Sequence, residues 1–361
     1  MVPAIDIEIT HGRAVWIDVL RVFSCFAVIL IHTSGQTYQR YGSIPVTEWW
    51  FANFLNGSCR CAVPLFVMIS GATLKVCDAD ASKFYRRKAL RFLPVLAAWS
   101  ALYGAFNLIA LRMNPMEVIN LAIGKGFTYQ HLWYLSMYLF MLMFMPFLAR
   151  IRYSPPEGDS QWRLLLAAGF LAISLDWGFE AACRWFEIKF VPWPRTFVEF
   201  IPYFLFGLLL ADRRNLTSLR RSGMWLILSL AVSLVANWLA VSRLGIVDDS
   251  MPLANRCPLV GAVAVGVFLY VRDKVWGSRL STLMRKMAPA CLGIYLVHPL
   301  FRELLYVHGW DASLQHFFKA DWYVKPYILI GIPLVSAMVY IPSAIFTLIV
   351  LRIPYLNRIV S

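Results

Sequence analysis

The sequence predicts an all-α integral membrane protein with about ten transmembrane helices and both termini in the cytoplasm. Three observations point there. First, 60% of the 361 residues are hydrophobic and only 15% are charged, with a mean hydropathy of +0.62. Soluble domains carry about a quarter charged residues, so both disorder and an ordinary soluble core are excluded. Second, apolar segments of spanning length recur along the chain between polar or Pro/Gly-rich stretches. Third, in an alternating layout that starts inside, Lys and Arg fall about two to one on the inner side, as cytoplasmic loops do. That bias accounts for the net charge of +14 without nucleic acid as a partner. The seven cysteines include no C-x-x-C pair, Cys59 and Cys61 being the closest, so neither a metal site nor a disulfide framework is indicated.

Taken in order, Met1 to Arg13 contains Asp6 and Glu8 and lacks a basic n-region, so the run that follows is an uncleaved span rather than a signal peptide. The first span, 15–33, holds Asp18, Arg21 and His32. Ionisable residues inside a bilayer cost roughly 3 kcal/mol or more and mark function. Asp18 and Arg21 are spaced to pair on one helix face, and His32 shares a face with Arg21 about 16 Å further along the axis. An ion pair plus a histidine satisfied inside the bundle would explain the same residues; a polar stripe this long suits a channel for a long polar substrate. The second span, 49–74, carries Arg60, which needs an anionic or carbonyl partner. In the same span Pro64 is expected to bend the helix, while Ser70 and Gly71 permit close packing.

The third span, 89–111, is preceded by a basic run containing Arg86, Arg87, Lys88 and Arg91. Arg offers bidentate donors to phosphate, so the run predicts an anion site, although headgroup anchoring suits it equally. The fourth span, 132–149, opens with His131-Leu132-Trp133-Tyr134-Leu135, where Trp133 and Tyr134 suit an interfacial belt. Spans at 163–181, 197–211, 223–242 and 257–271 follow, the second and fourth of these being short. The ninth, 287–306, contains Tyr295, His298 and Pro299 with Arg302 and Glu303 one turn on, and the tenth is 326–351. Convergence of His32 and His298 would make an acid/base site working near neutral pH. There is no fixed-period repeat and no appended soluble domain, so a single membrane-embedded domain over 1–361 is expected.

Six motifs stand in a recognisable order. They are D-x-L-R-(x10)-H (Asp18 to His32), P-L-F-x-x-I-S-G (Pro64 to Gly71), R-R-x-x-x-R-x-x-P (Arg86 to Pro94), H-L-W-Y-L (His131 to Leu135), Y-F-x-x-G (Tyr203 to Gly207) and L-G-I-Y-L-V-H-P (Leu292 to Pro299). This series resembles the acyltransferase family 3 of bacterial multi-spanning membrane O-acyltransferases, over nearly the whole chain. The stretch Asn56 to Gly71 is similar to the enterobacterial common antigen O-acetyltransferase type. The resemblance implies transfer of an acyl group, most often acetyl, from cytoplasmic acetyl-CoA to a carbohydrate hydroxyl at the outer face of a bacterial inner membrane, with no permanently bound cofactor. By position, Arg21 and the Arg86/Arg87 pair match the family's important arginines, and His32 matches its candidate catalytic histidine. Val67, Ala72 and Thr73 depart from the family, which commonly has aromatic residues there, and the SGNH-type domain of some members is absent.

The resulting expectation has Arg86, Arg87, Lys88 and Arg91 holding CoA phosphates, and Arg21, held by Asp18, guiding the pantetheine arm. His32 accepts the sugar hydroxyl proton, and Tyr295, Arg60 or His298 stabilises the oxyanion. A covalent acyl-histidine or acyl-serine relay is the chemical alternative. The rival function is a transporter or flippase for lipid-linked sugars or an acylated compound, which polar residues inside spans suit equally. No inverted repeat supports that rival.

Overall fold

The computed structural model describes residues 14–74, 81–125, 127–153, 167, 170, 174, 177–178, 198–211, 218–246, 253–255, 257–306 and 328–360. Among them there is helix and no strand. Helix α1 is Val15–Tyr38, and α2 (Val46–Cys59) and α3 (Ala62–Ala72) follow. Next come α4 (Ala81–Ile109), α5 (Pro115–Lys125) and α6 (Trp133–Tyr153), the last entered through a 3-10 turn at Gln130–Leu132. Then come α7 (Ile201–Leu210), α8 (Leu219–Leu244), α9 (Pro258–Asp273) and α10 (Ser278–Met287). A second 3-10 turn, Ala288–Ala290, leads into α11 (Cys291–Tyr306), and α12 is Ile328–Val350.

Five segments among the described residues are long and apolar enough to cross a membrane: Val15–Tyr38, Val46–Ala72, Lys83–Ile109, Leu219–Leu244 and Ile330–Val350. The expected span at 163–181 lies almost wholly outside the described residues. Three local differences from the sequence reading have physical causes. The segment expected at 49–74 is two helices, broken at Arg60 and Cys61 rather than bent at Pro64. Pro64 is the third residue of α3, in the first turn, where a missing N–H leaves no helical bond unmade. The third helix begins at Ala81, eight residues before the expected 89, so the basic run is itself helical. Helices α5 and α10 occupy stretches read as loops. They are too short to span, and α10 is amphipathic, with Leu280 and Leu283 beside Arg279 and Lys286.

Helix α1 is the hub and packs on α2, α3, α9, α10, α11 and α12. Leu20, Ala27 and Val28 enter the main apolar core with Leu65, Met68, Phe204, Phe268 and Leu296. The α3–α7 contact brings backbone against backbone. A Cβ on Gly207 would run into the carbonyl of Met68, and one on Gly71 into the carbonyl of Phe204. Small residues at a crossing let two membrane helices approach this closely.

α1 and α11 run parallel and in register. The Cys25 thiol donates to the Cys291 carbonyl at 3.5 Å, and seven residues later on each helix the His32 and His298 rings stack 5.3 Å apart. A seven-residue step is two helical turns, so each helix presents one continuous stripe to the other. On α1 the stripe is Arg21, Cys25, Val28 and His32. On α11 it is Cys291, Tyr295, His298 and Arg302.

Candidate active site

A cavity of about 560 Å³ opens at the Arg21 end of these stripes. Arg21, Lys88 and Arg91 contribute its charge, and among the described residues no acidic side chain lines it. Ser70, Tyr134, Tyr138, Cys291 and Tyr295 complete its polar wall. Arg21 is held from behind by Asp18, 3.6 Å away and 1% exposed. Ser70 donates its hydroxyl to the Phe66 carbonyl at 3.0 Å.

Because α4 is helical from Ala81, its basic residues are spread around the helix. Lys88 and Arg91, three apart, share a face with Phe84 and Phe92. The Lys88 ammonium sits 5.7 Å from the Phe84 ring, and the Arg91 guanidinium 5.4 Å from that of Phe92. This face meets the cavity. Arg86 and Arg87 are exposed and are not among the residues that line the cavity.

Beyond the cavity, Tyr295 leads into a cluster of three histidines. Its ring lies 5.9 Å from His298 and 5.6 Å from His131. His131 in turn lies 5.8 Å from His298, which stacks on His32. His298 and His131 are buried, at 1% and 4% exposure, whereas His32 is only partly buried. Arg60 and Arg302 are close enough for their charges to act on His32. Among the described residues no group of three or more His, Cys, Asp or Glu could hold a metal ion.

The sequence His298-Pro299 explains how one of these rings is oriented. Proline has no N–H, so the carbonyl four residues back, that of Tyr295, loses its helical partner. His298 Nδ1 takes that carbonyl at 2.6 Å. A carbonyl only accepts, so Nδ1 carries the proton of the neutral ring and Nε2 presents its lone pair. His131 Nε2 contacts the Leu296 carbonyl at 3.2 Å, and the same oxygen accepts from the Tyr103 hydroxyl at 2.7 Å. The Tyr295 hydroxyl donates to the backbone carbonyl of His131, which locks the start of α6 to α11.

The α2–α3 break positions Arg60, 7% exposed, against the same region. Its Nε donates to Asn56 Oδ1 at 2.8 Å. Asn56, fully buried, donates through Nδ2 to the Ile31 carbonyl at 3.2 Å and to the Ser34 hydroxyl at 3.0 Å, the residues on either side of His32 and Thr33. Trp133 stands apart from the cavity, its ring against Phe200 and Tyr134 at 5.8 and 6.2 Å.

Of the residues singled out in the sequence, then, Arg21, Lys88, Arg91, Ser70 and Tyr295 meet at one cavity. His32 and His298 stack beside it, and Asp18 and Arg60 support them. Arg86, Arg87 and Trp133 are not among the cavity's lining residues. His131, Tyr134, Tyr138 and Asn56 were missed as site residues. Tyr134 reads in the H-L-W-Y-L motif as part of an interfacial belt, His131 opens the same motif with no role assigned to it, and Asn56 gives no signal beyond being polar within a span.

A basic cavity next to a cluster of imidazoles, the two sharing Tyr295 within an apolar helical bundle, is an arrangement suited to group transfer inside a membrane. The sequence profile of the family 3 acyltransferases, described as an acyltransferase domain, matches residues 14–351, and the chain belongs to that family. It is a membrane acyltransferase. No curated protein matches the chain, and no solved structure does.

Proposed function

We propose that the protein moves an acetyl group from cytoplasmic acetyl-CoA to a hydroxyl of a cell-surface or exopolysaccharide sugar, or of its lipid-linked precursor. In this reading it lies in a bacterial inner membrane with about ten spans and both termini cytoplasmic, and resembles the enterobacterial common antigen O-acetyltransferase type. One observation carries the proposal: Tyr295 belongs both to the cavity with the three cations and to the histidine cluster. A donor whose phosphates rest against Lys88, Arg91 and Arg21 therefore has its thioester end directed at His32 and His298.

The chemistry needs little beyond position, because a thioester is already activated. The acceptor hydroxyl gives its proton to His32, the least buried of the three rings, as its oxygen attacks the thioester carbonyl. The tetrahedral intermediate collapses by breaking the C–S bond, and the proton held on His32 passes to the departing thiolate to give CoA-SH. Tyr295, Arg60 or His298 stabilises the oxyanion that forms on the carbonyl oxygen.

The test is transfer of label from [acetyl-14C]acetyl-CoA to glycan in membranes containing the protein, scored as hydroxylamine-labile ester. Wild type transfers label, and His32→Ala, at equal protein level, loses at least a hundredfold. Full activity in His32→Ala overturns the mechanism. No ester from any acyl-CoA overturns the function.

A further inference from the structure

We propose that Tyr129, Glu303 and Arg302 form the acceptor subsite, one that takes an uncharged, hydroxyl-rich sugar ring; the inference rests on the acyl-transfer reading above. The observation is a three-residue cluster on the far side of the histidines from the cavity. The Tyr129 hydroxyl donates to Glu303 Oε1 at 2.9 Å, and Arg302 donates to the same oxygen at 2.7 Å. None is sealed off: the side chains of Arg302 and Glu303 are 26% and 13% exposed, and Tyr129 is half-buried.

Placement assigns the cluster to the second substrate. On the α11 stripe Cys291 and Tyr295 face the cavity, His298 stacks on His32, and Arg302 comes one turn further on. A donor filling the cavity approaches His32 from the Cys291 side, which leaves the Arg302 side for the acceptor. Tyr129 is joined to the same region through His131, whose ring lies 5.6 Å away. It is also held rigidly. Its ring stacks on Tyr103 at 4.6 Å, and the neighbouring Thr128 is bound to α4 through its hydroxyl to the Ser100 carbonyl and its carbonyl to Asn107.

Charge and donor count select the ligand class. Glu303 offsets the charge of Arg302 at 2.7 Å, so the pair suits a neutral polyol better than a diphosphate. An ionised carboxylate has about four acceptor sites, of which the two contacts among the described residues use two, which leaves capacity for sugar hydroxyls. Tyr129 stays a donor, because burial and the charge of Glu303 push its phenol up to about 12.

The test uses membranes containing full-length Glu303→Gln, Glu303→Asp or Tyr129→Phe, with label transfer to endogenous membrane glycan and acetyl-CoA binding to purified protein measured in parallel. Glu303→Gln is expected to lose at least tenfold in transfer while the Kd for acetyl-CoA stays within twofold, with partial rescue in Glu303→Asp and a smaller loss in Tyr129→Phe. Unchanged transfer in Glu303→Gln overturns the subsite. So does a parallel loss of acetyl-CoA binding, which marks a structural clamp. A wild type that transfers nothing overturns the acyl-transfer reading instead, and the subsite with it.

Discussion

Donor affinity should depend on which face of α4 a cation occupies, and the structure sets the ranking. Arg21 lines the cavity, is 22% exposed and is backed by Asp18. A charge-assisted hydrogen bond in such a place is worth about 1.5–3 kcal/mol. Arg21→Ala should therefore raise the Kd for acetyl-CoA roughly 10- to 150-fold. Lys88→Ala, half-buried on the cavity-facing side of α4, should follow at about tenfold, and Arg91→Ala, which lines the cavity but is exposed, at about fivefold. Arg86 and Arg87 are exposed, and exposed pairs contribute about 0.2–1 kcal/mol each. Arg86→Ala/Arg87→Ala together should then cost roughly fivefold.

The assay is equilibrium binding of labelled acetyl-CoA to detergent-purified protein at low salt and again near 1 M, where the Debye length falls to about 3 Å. The small Arg86/Arg87 effect should vanish at high salt, while the Arg21 effect persists in part. If the double variant loses as much affinity as Arg21→Ala, the cavity is not the donor site and the reasoning fails.

Asn56→Leu removes the acceptor of Arg60 Nε and two bonds to the His32 segment of α1. It should cost about 3 kcal/mol, read as a lower Tm in detergent, whereas Asn56→Asp keeps the bond to Arg60 and loses less. Gly207→Ala forces a methyl against the Met68 carbonyl and should cost about 1–3 kcal/mol of stability by the same measurement. Pro299→Ala restores an N–H to compete with His298 for the Tyr295 carbonyl. It should lower kcat roughly tenfold with acetyl-CoA affinity unchanged, a split that kinetics and binding together resolve.

The helical membrane character was legible because it is a matter of composition and run length, which folding cannot alter. His32, His298 and Arg21 were legible because an ionisable residue in an apolar run stands out. What the sequence hid was direction. Arg86, Arg87, Lys88 and Arg91 look equivalent as a charge run, and only the folded helix from Ala81 shows that Lys88 and Arg91 line the cavity while Arg86 and Arg87 do not. His131 was hidden differently: it sits beside a Trp and a Tyr that suit an interface, and its partners Tyr295 and His298 are more than 160 residues away. Pro64 misled because proline in a span is usually a bend, yet proline in a first turn is a starter. Asn56 carried no charge to betray it, and its role exists only where α1 and the α2–α3 break meet.

The same proline logic explains how one imidazole tautomer is fixed in a helix bundle. In lipid every backbone polar group must find a partner inside the protein, so a carbonyl freed by proline has to be satisfied by a neighbouring helix or side chain. At Pro299 the freed Tyr295 carbonyl is met by His298, and the next carbonyl, of Leu296, by Tyr103 and His131. The disruption that would weaken an isolated helix thus becomes the means of fixing the His298 ring. Backbone carbonyls orient the rings and leave them neutral, with Nε2 of His298 as an acceptor beside His32. That is the state an acyl-transfer site needs if its base is to take a hydroxyl proton.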